Sequence, residues 1–297
     1  MDLGMMATSL AVALLLAGDP PIGRFRLFFV AGILLGMAGS IFLFRIPEPP
    51  SMSASSPSPL FVSVREIAGE PALRRFFSAL LLLTASLGII YPFLIIHAKR
   101  VYLFTDNQTI LLTIAGGAGS IAGSLLCRRF TDRYGSKPLM LFFVVQMLLV
   151  AFAVAVVPAG PAAAFVPLLW IYLLLLFFTG TMGYFAIQHV SQVYLFGLLS
   201  SRQQLNIGIL YFLAQGIAGL AGGTLGGMLA DLLEAGLGLP VTMSHRIIFA
   251  CAGLLSAAGL LLVRGWKEPR AWSFTGALHD VAGEMLVRGF WWGRAPR

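Results

Sequence analysis

The chain has 297 residues, 58% of them hydrophobic and only 11% charged, with a mean hydropathy of +0.89 and a net charge of +8. Ordinary soluble domains hold roughly 45–50% apolar residues, so this composition excludes a water-soluble globule. Two cysteines, Cys127 and Cys251, supply neither a disulfide framework nor a metal-ligand spacing, and the basic charge reads as membrane sidedness rather than nucleic-acid binding.

A helix crosses a bilayer with about 20 apolar residues, each rising about 1.5 Å. Eight runs without Asp, Glu, Lys or Arg are candidates: residues 3–17, 27–44, 76–98, 109–127, 138–157, 164–188, 207–230 and 247–263. Stretches such as "LLWIYLLLLFF" lack the alternation of barrel strands. The expected fold is therefore an all-α membrane protein of about eight transmembrane helices. The opening "MDLGMMATSLAVALLLAG" carries Asp2 and no basic leader, which argues against a cleaved signal peptide. It is short for a crossing and starts almost at Met1, so an upstream part is expected to be missing.

Residues 1–45 thus hold two spans. Residues 46–75, with "RIPEPPSMSASSPSP", read as a flexible cytoplasmic connector. Residues 76–264 form a six-helix bundle of two related three-helix units, because "AGGAGSIAGS" in the middle span of the first echoes "GIAGLAGGTLGG" in the middle span of the second. Gly119 and Gly123 are four apart, as are Gly219, Gly223 and Gly227, and as are Gly222 and Gly226. Such stripes let backbones come close where lipid offers no hydrophobic drive; static packing and a sliding surface are both compatible with them. Residues 265–297 are a cytoplasmic tail. Leu278, Val281, Ala282, Met285 and Leu286 fall on one helical face, with Trp272, Trp291 and Trp292 placed for the interface.

Eight spans return the chain to its starting side. Fifteen basic residues then share a face with the termini, against five on the other: Arg24, Arg26, Lys99, Arg100 and Arg246. Lys and Arg accumulate on the cytoplasmic face, so both termini are expected in the cytoplasm of a cell with its plasma (inner) membrane as host.

"CRRFTDRYGSKPL", between the fourth and fifth spans, packs Arg128, Arg129, Arg133 and Lys137 around Asp132. The cations fix orientation and attract lipid phosphates. Asp132 is the unusual member, a carboxylate able to accept from helix-start N–H groups or pair with Arg, and so to latch one bundle against another. "DRYGSK" resembles the loop signature of the major facilitator superfamily, Gly-x-x-x-Asp-Arg-x-Gly-Arg-Arg/Lys. Asp132, Arg133, Gly135 and Lys137 stand at matching positions, whereas Arg128 replaces the first Gly and Ser136 an Arg. The resemblance implies twelve-span ancestry, with this chain similar to spans five to twelve and the first four absent. It implies alternating-access transport of a small organic solute, with a missing N-terminal bundle or a second copy as partner and the bilayer as host. It also implies a latch partner at the start of the fifth span, here Met1 and Asp2.

By the same resemblance, polar residues on the third, sixth and seventh spans are candidates for the solute path: Tyr91, beside the kink-forming Pro92, with Thr181, Tyr184, Gln188, His189 and Gln215. His189 is the imidazole near a span of this kind, either on the path or an ordinary interfacial histidine. Gln146 reads as packing. No carboxylate lies deep in a span, so proton coupling has no evident carrier here. No nucleophile–base set or phosphate loop points to an enzyme, and no metal site or cofactor is expected. The alternative function is a truncated, non-transporting membrane subunit that binds a partner protein.

Overall fold

The computed structural model describes residues 22–43, 60–156, 166–200, 203–268, 272–277 and 279–280. Among these it is helical throughout: α1 Ile22–Leu43, α2 Leu60–Gly69, α3 Pro71–Val101, α4 Asp106–Tyr134, α5 Ser136–Val156, α6 Val166–Leu198, α7 Gln204–Asp231 and α8 Val241–Arg264, with a π-turn, Leu232–Gly236, closing α7. Six of these, α3 to α8, are long and apolar enough to cross a membrane. The first expected span lies outside the described residues. The second is α1, whose strongly apolar stretch is the shorter Val30–Gly39 and whose described side chains are largely exposed.

Two expectations need correction. The connector is not wholly flexible: "LFVSVREIAG" folds as α2, burying Ser63 and packing Ile67 on the core against α3 and α7. A polar-rich composition conceals it, yet its apolar residues fall on one side at helical spacing. The third span also begins earlier than its apolar run, at Pro71, because Pro is pre-organised for a first helical turn and Leu73 is buried there.

The bundle repeats itself. The middle helix of each unit packs on the first helix of the other, α4 on α6 and α7 on α3. The third helices do likewise, α5 on α6 and α8 on α3, while α5 and α8 meet each other. Since α3 and α6 run in opposite directions, the units are related by inversion. One end of the bundle gathers Arg74, Arg75, Arg133, Lys137 and Arg264, and the opposite end holds Lys99, Arg100 and Arg246.

Close approach is built from glycine on both sides of this pseudo-symmetry. A Cβ on Gly119 would overlap the backbone of Phe178, and one on Gly123 would sit 2.6 Å from the Met182 carbonyl, so α4 lies directly on α6. A Cβ on Gly222 would reach 2.9 Å from the Ala85 Cα, and one on Gly88 3.0 Å from the Gly219 Cα, so α7 lies on α3. The expected Gly219–Gly223–Gly227 row fails toward its end, for Gly227 meets nothing within 4 Å among the described residues. A four-residue step overshoots one turn by about 40°, so the contact passes from that row to Gly222 and Gly226.

Candidate functional site

The helix-end loop that the sequence singles out is held from the C-terminal side. Gly135 caps α4 at φ 91°, a left-handed conformation that suits glycine, and its N–H donates to the Thr131 carbonyl. The free N–H groups that open α5, at Ser136 and Lys137, donate to the Glu268 carboxylate at 3.0 and 2.7 Å. Lys137 Nζ donates to the Trp266 carbonyl at 2.8 Å, and Arg133 donates to Asp280 at 2.8 Å, which also accepts from the Tyr134 hydroxyl at 2.7 Å. Trp266 lies flat on Tyr194, ring centroids 4.1 Å apart. Arg75 donates to the Gly265 carbonyl at 2.6 Å.

Asp132 takes no part in this. Its side chain is exposed on the last turn of α4 and makes no hydrogen bond or ion pair among the described residues. The roles expected of it, receiving helix-start N–H groups and pairing with Arg, belong to Glu268 and Asp280. The physical reason is position: helix geometry turns Asp132 away from the α5 start, while the segment after α8 crosses that end of the bundle. Of the tail, residues 281–297, Leu278 and the Trp291 and Trp292 anchors lie outside the described residues, as do Met1 and Asp2.

Among the path candidates, Tyr91 and Tyr184 come together. Their rings stack with centroids 5.5 Å apart across α3 and α6. They border a groove of about 480 Å³ whose wall continues through Leu87, Gly88 and Pro92 on α3 and Gly219, Leu220, Gly223 and Thr224 on α7. All these positions lie inside the length of their helices, with Tyr91, Pro92 and Thr224 in the C-terminal third of α3 and α7. Pro92 lacks the N–H that would bond the Gly88 carbonyl, so that oxygen is released toward Gly223, the glycine beside it. The Tyr91, Tyr184 and Thr224 hydroxyls have no hydrogen-bond partner among the described residues. The lining contains no Asp, Glu, Lys, Arg or His.

The remaining candidates are engaged elsewhere or exposed. Thr181 is buried, donating to the Phe177 carbonyl of its own helix and lying where a Cβ on Gly116 would come within 3.0 Å; it packs α6 on α4. Gln215 donates to the Tyr211 hydroxyl at 2.9 Å, which in turn bonds Ser191 at 2.9 Å and donates to the Gln188 carbonyl at 3.1 Å. This chain joins α7 to α6 outside the groove lining. His189 is exposed. Gln146 donates to the Thr179 carbonyl at 2.7 Å, a packing contact.

The sequence reading passed over a buried histidine pair. His97 near the end of α3 and His245 near the start of α8 place their Nδ1 atoms 3.2 Å apart. Tyr102 stands edge-on to His97, its hydroxyl buried without a partner among the described residues, and burial pushes its phenol pKa up, with Arg246 opposing. Two polar residues 148 positions apart carry no local signal of meeting.

The six long apolar helices and their glycine crossings make the chain an all-α integral membrane protein. No protein-family model matches it.

Proposed function

We propose that the chain is a secondary transporter of the major facilitator type, moving a small uncharged organic solute by alternating access. The groove carries this reading. Three open hydroxyls and a released carbonyl stand within the apolar spans, where facing lipid would leave polar groups without partners and a solute or water would use them. The uncharged lining selects the cargo class, because an ion there would lose its hydration against no opposite charge. The inverted units support the same reading, since carriers place solute sites where such repeats meet. So does the loop of Asp132, Arg133, Gly135 and Lys137. In this account the Arg-rich end and both termini face the cytoplasm of the plasma (inner) membrane. The described bundle is one wall of the path, and the facing wall comes from a further bundle or a second copy.

The groove's open side also favours a second reading, a non-transporting subunit that covers it with a partner protein. Purified protein in proteoliposomes, screened with uncharged polyols, amides and nucleosides beside charged amino acids and organic acids, separates the two. Uptake of an uncharged solute is the expected result. Correctly inserted protein that moves none of these solutes supports the subunit, and uptake restricted to charged solutes overturns the cargo class.

A further inference from the structure

His97 and His245 are 2% and 0% exposed, and their Nδ1···Nδ1 contact of 3.2 Å ties the end of α3 to the start of α8. Such a contact is a hydrogen bond only when one ring carries a proton on Nδ1 and the other leaves Nδ1 bare. The neutral pair satisfies this, as does the pair with one extra proton. With both rings cationic each Nδ1 is a donor, the bond is lost, and two like charges face each other at close range. His245 Nε2 is buried with no partner among the described residues, so a proton there finds no acceptor.

The charged neighbours act in both senses. Arg246 on α8 disfavours a cation at His97, while at His245 Glu234 on the π-turn favours one and Arg100 on α3 opposes it. Glu234 is already held by Arg100 through two bonds of 3.1 and 2.7 Å, and Lys99 by Asp106. Tyr102, and Tyr172 on α6, bring neutral phenols with buried hydroxyls. Phe93 and Phe249 close the pair with ring edges. Within α5 and residues 157–165 the only titratable group is Lys137, at the opposite end. The Nδ1 contact changes with the protonation of the two rings, so the ligand to which this geometry responds is a proton.

We propose that His97 and His245 form a proton-binding site whose occupancy opens this end of the bundle. In the closed pair a second extra proton removes the Nδ1–H···Nδ1 bond and sets two cations together, and separating α3 from α8 lets water solvate the imidazolium that proton uptake creates. The site stands on its own geometry; only its use, coupling solute movement to a proton gradient, rests on the transport reading above.

The test is a spin-label distance between Leu103→Cys and Met243→Cys, both exposed positions, in a Cys127→Ser, Cys251→Ser background of the full chain in lipid nanodiscs. From pH 8 to pH 5 the long-distance population is expected to grow, with an open-to-closed ratio rising up to about tenfold per pH unit for each coupled proton. His97→Asn and His245→Asn are each expected to flatten that response. A wild-type distance unchanged over this range overturns the proposal, as does a full response in both variants. If the variants fail to fold, nitrogen spectra of the wild-type histidines decide. One Nδ1-protonated and one Nε2-protonated ring at pH 8 are expected, and two identical tautomers contradict the site. Solute uptake with flat distances sinks this inference alone, and pH-driven opening without any uptake sinks only the transport reading.

Discussion

The crossings of α4 on α6 and of α7 on α3 are equivalent by the repeat, yet one is filled and the other carries a groove. At the first, glycine lies on one helix only: Gly119 and Gly123 sit on the Phe178 and Met182 backbone of α6, with the Met182 side chain beside Gly123 and the Thr181 side chain against Gly116. At the second, glycine lies on both helices, Gly88 on α3 and Gly219 and Gly223 on α7, so the crossing is close but nothing fills the space beside it. Pro92 then releases a carbonyl on that side. The groove thus comes from side chains missing at one crossing rather than from added reactive groups.

The largest effect is expected where the filled crossing is broken. Gly119→Leu drives a side chain into the Phe178 backbone, and overpacking of this kind costs about 1–3 kcal/mol or more. Gly227→Leu, in open space, stays within about 0.5 kcal/mol of the parent. Thermal aggregation of the two purified variants in detergent ranks them, and equal losses would remove the distinction between the glycine rows.

A middle effect is expected in the groove. Tyr91→Ala removes one half of a stacked pair, an interaction of about 0.5–1.5 kcal/mol, and should weaken apparent solute affinity up to about tenfold while leaving the amount of inserted protein near wild type. Thr181→Ala, on the filled side, should shift stability more than affinity. The smallest effect belongs to Pro92→Ala, which returns a hydrogen-bond partner to the Gly88 carbonyl. A gain in thermal stability of order 1 kcal/mol is expected, with a few-fold loss of uptake. Unchanged uptake would mean that this oxygen does not face the solute.

Six of the eight expected spans, the Gly119–Gly123 pair and the place of Pro92 within α3 were legible because helix-forming apolarity and small-residue spacing are local properties. Helix α2 was hidden by its Pro- and Ser-rich flank, although its own ten residues are amphipathic. Tertiary pairings were not legible. Glu268 and Asp280 lie more than a hundred positions from the loop that they hold, and the loop's own carboxylate, Asp132, drew attention by its neighbours in sequence and its place in the loop signature. His189 was picked for standing on a favoured span, while His97 and His245 gain their chemistry only by meeting. Thr224 was read merely as part of a glycine-rich string, and its hydroxyl matters because it borders the space that those glycines leave.

Whether that space is wet is the question on which the account turns. In a Cys127→Ser, Cys251→Ser background, Thr224→Cys and Leu225→Cys place adjacent thiols on α7, one in the groove lining and one exposed on the helix beyond it. A membrane-impermeant, uncharged polar thiol reagent added to protein in proteoliposomes should modify the first readily and the second hardly at all. Equal protection of both thiols would put hydrocarbon rather than water against the Tyr91–Tyr184 wall, and the groove would then be a lipid-facing surface instead of a path.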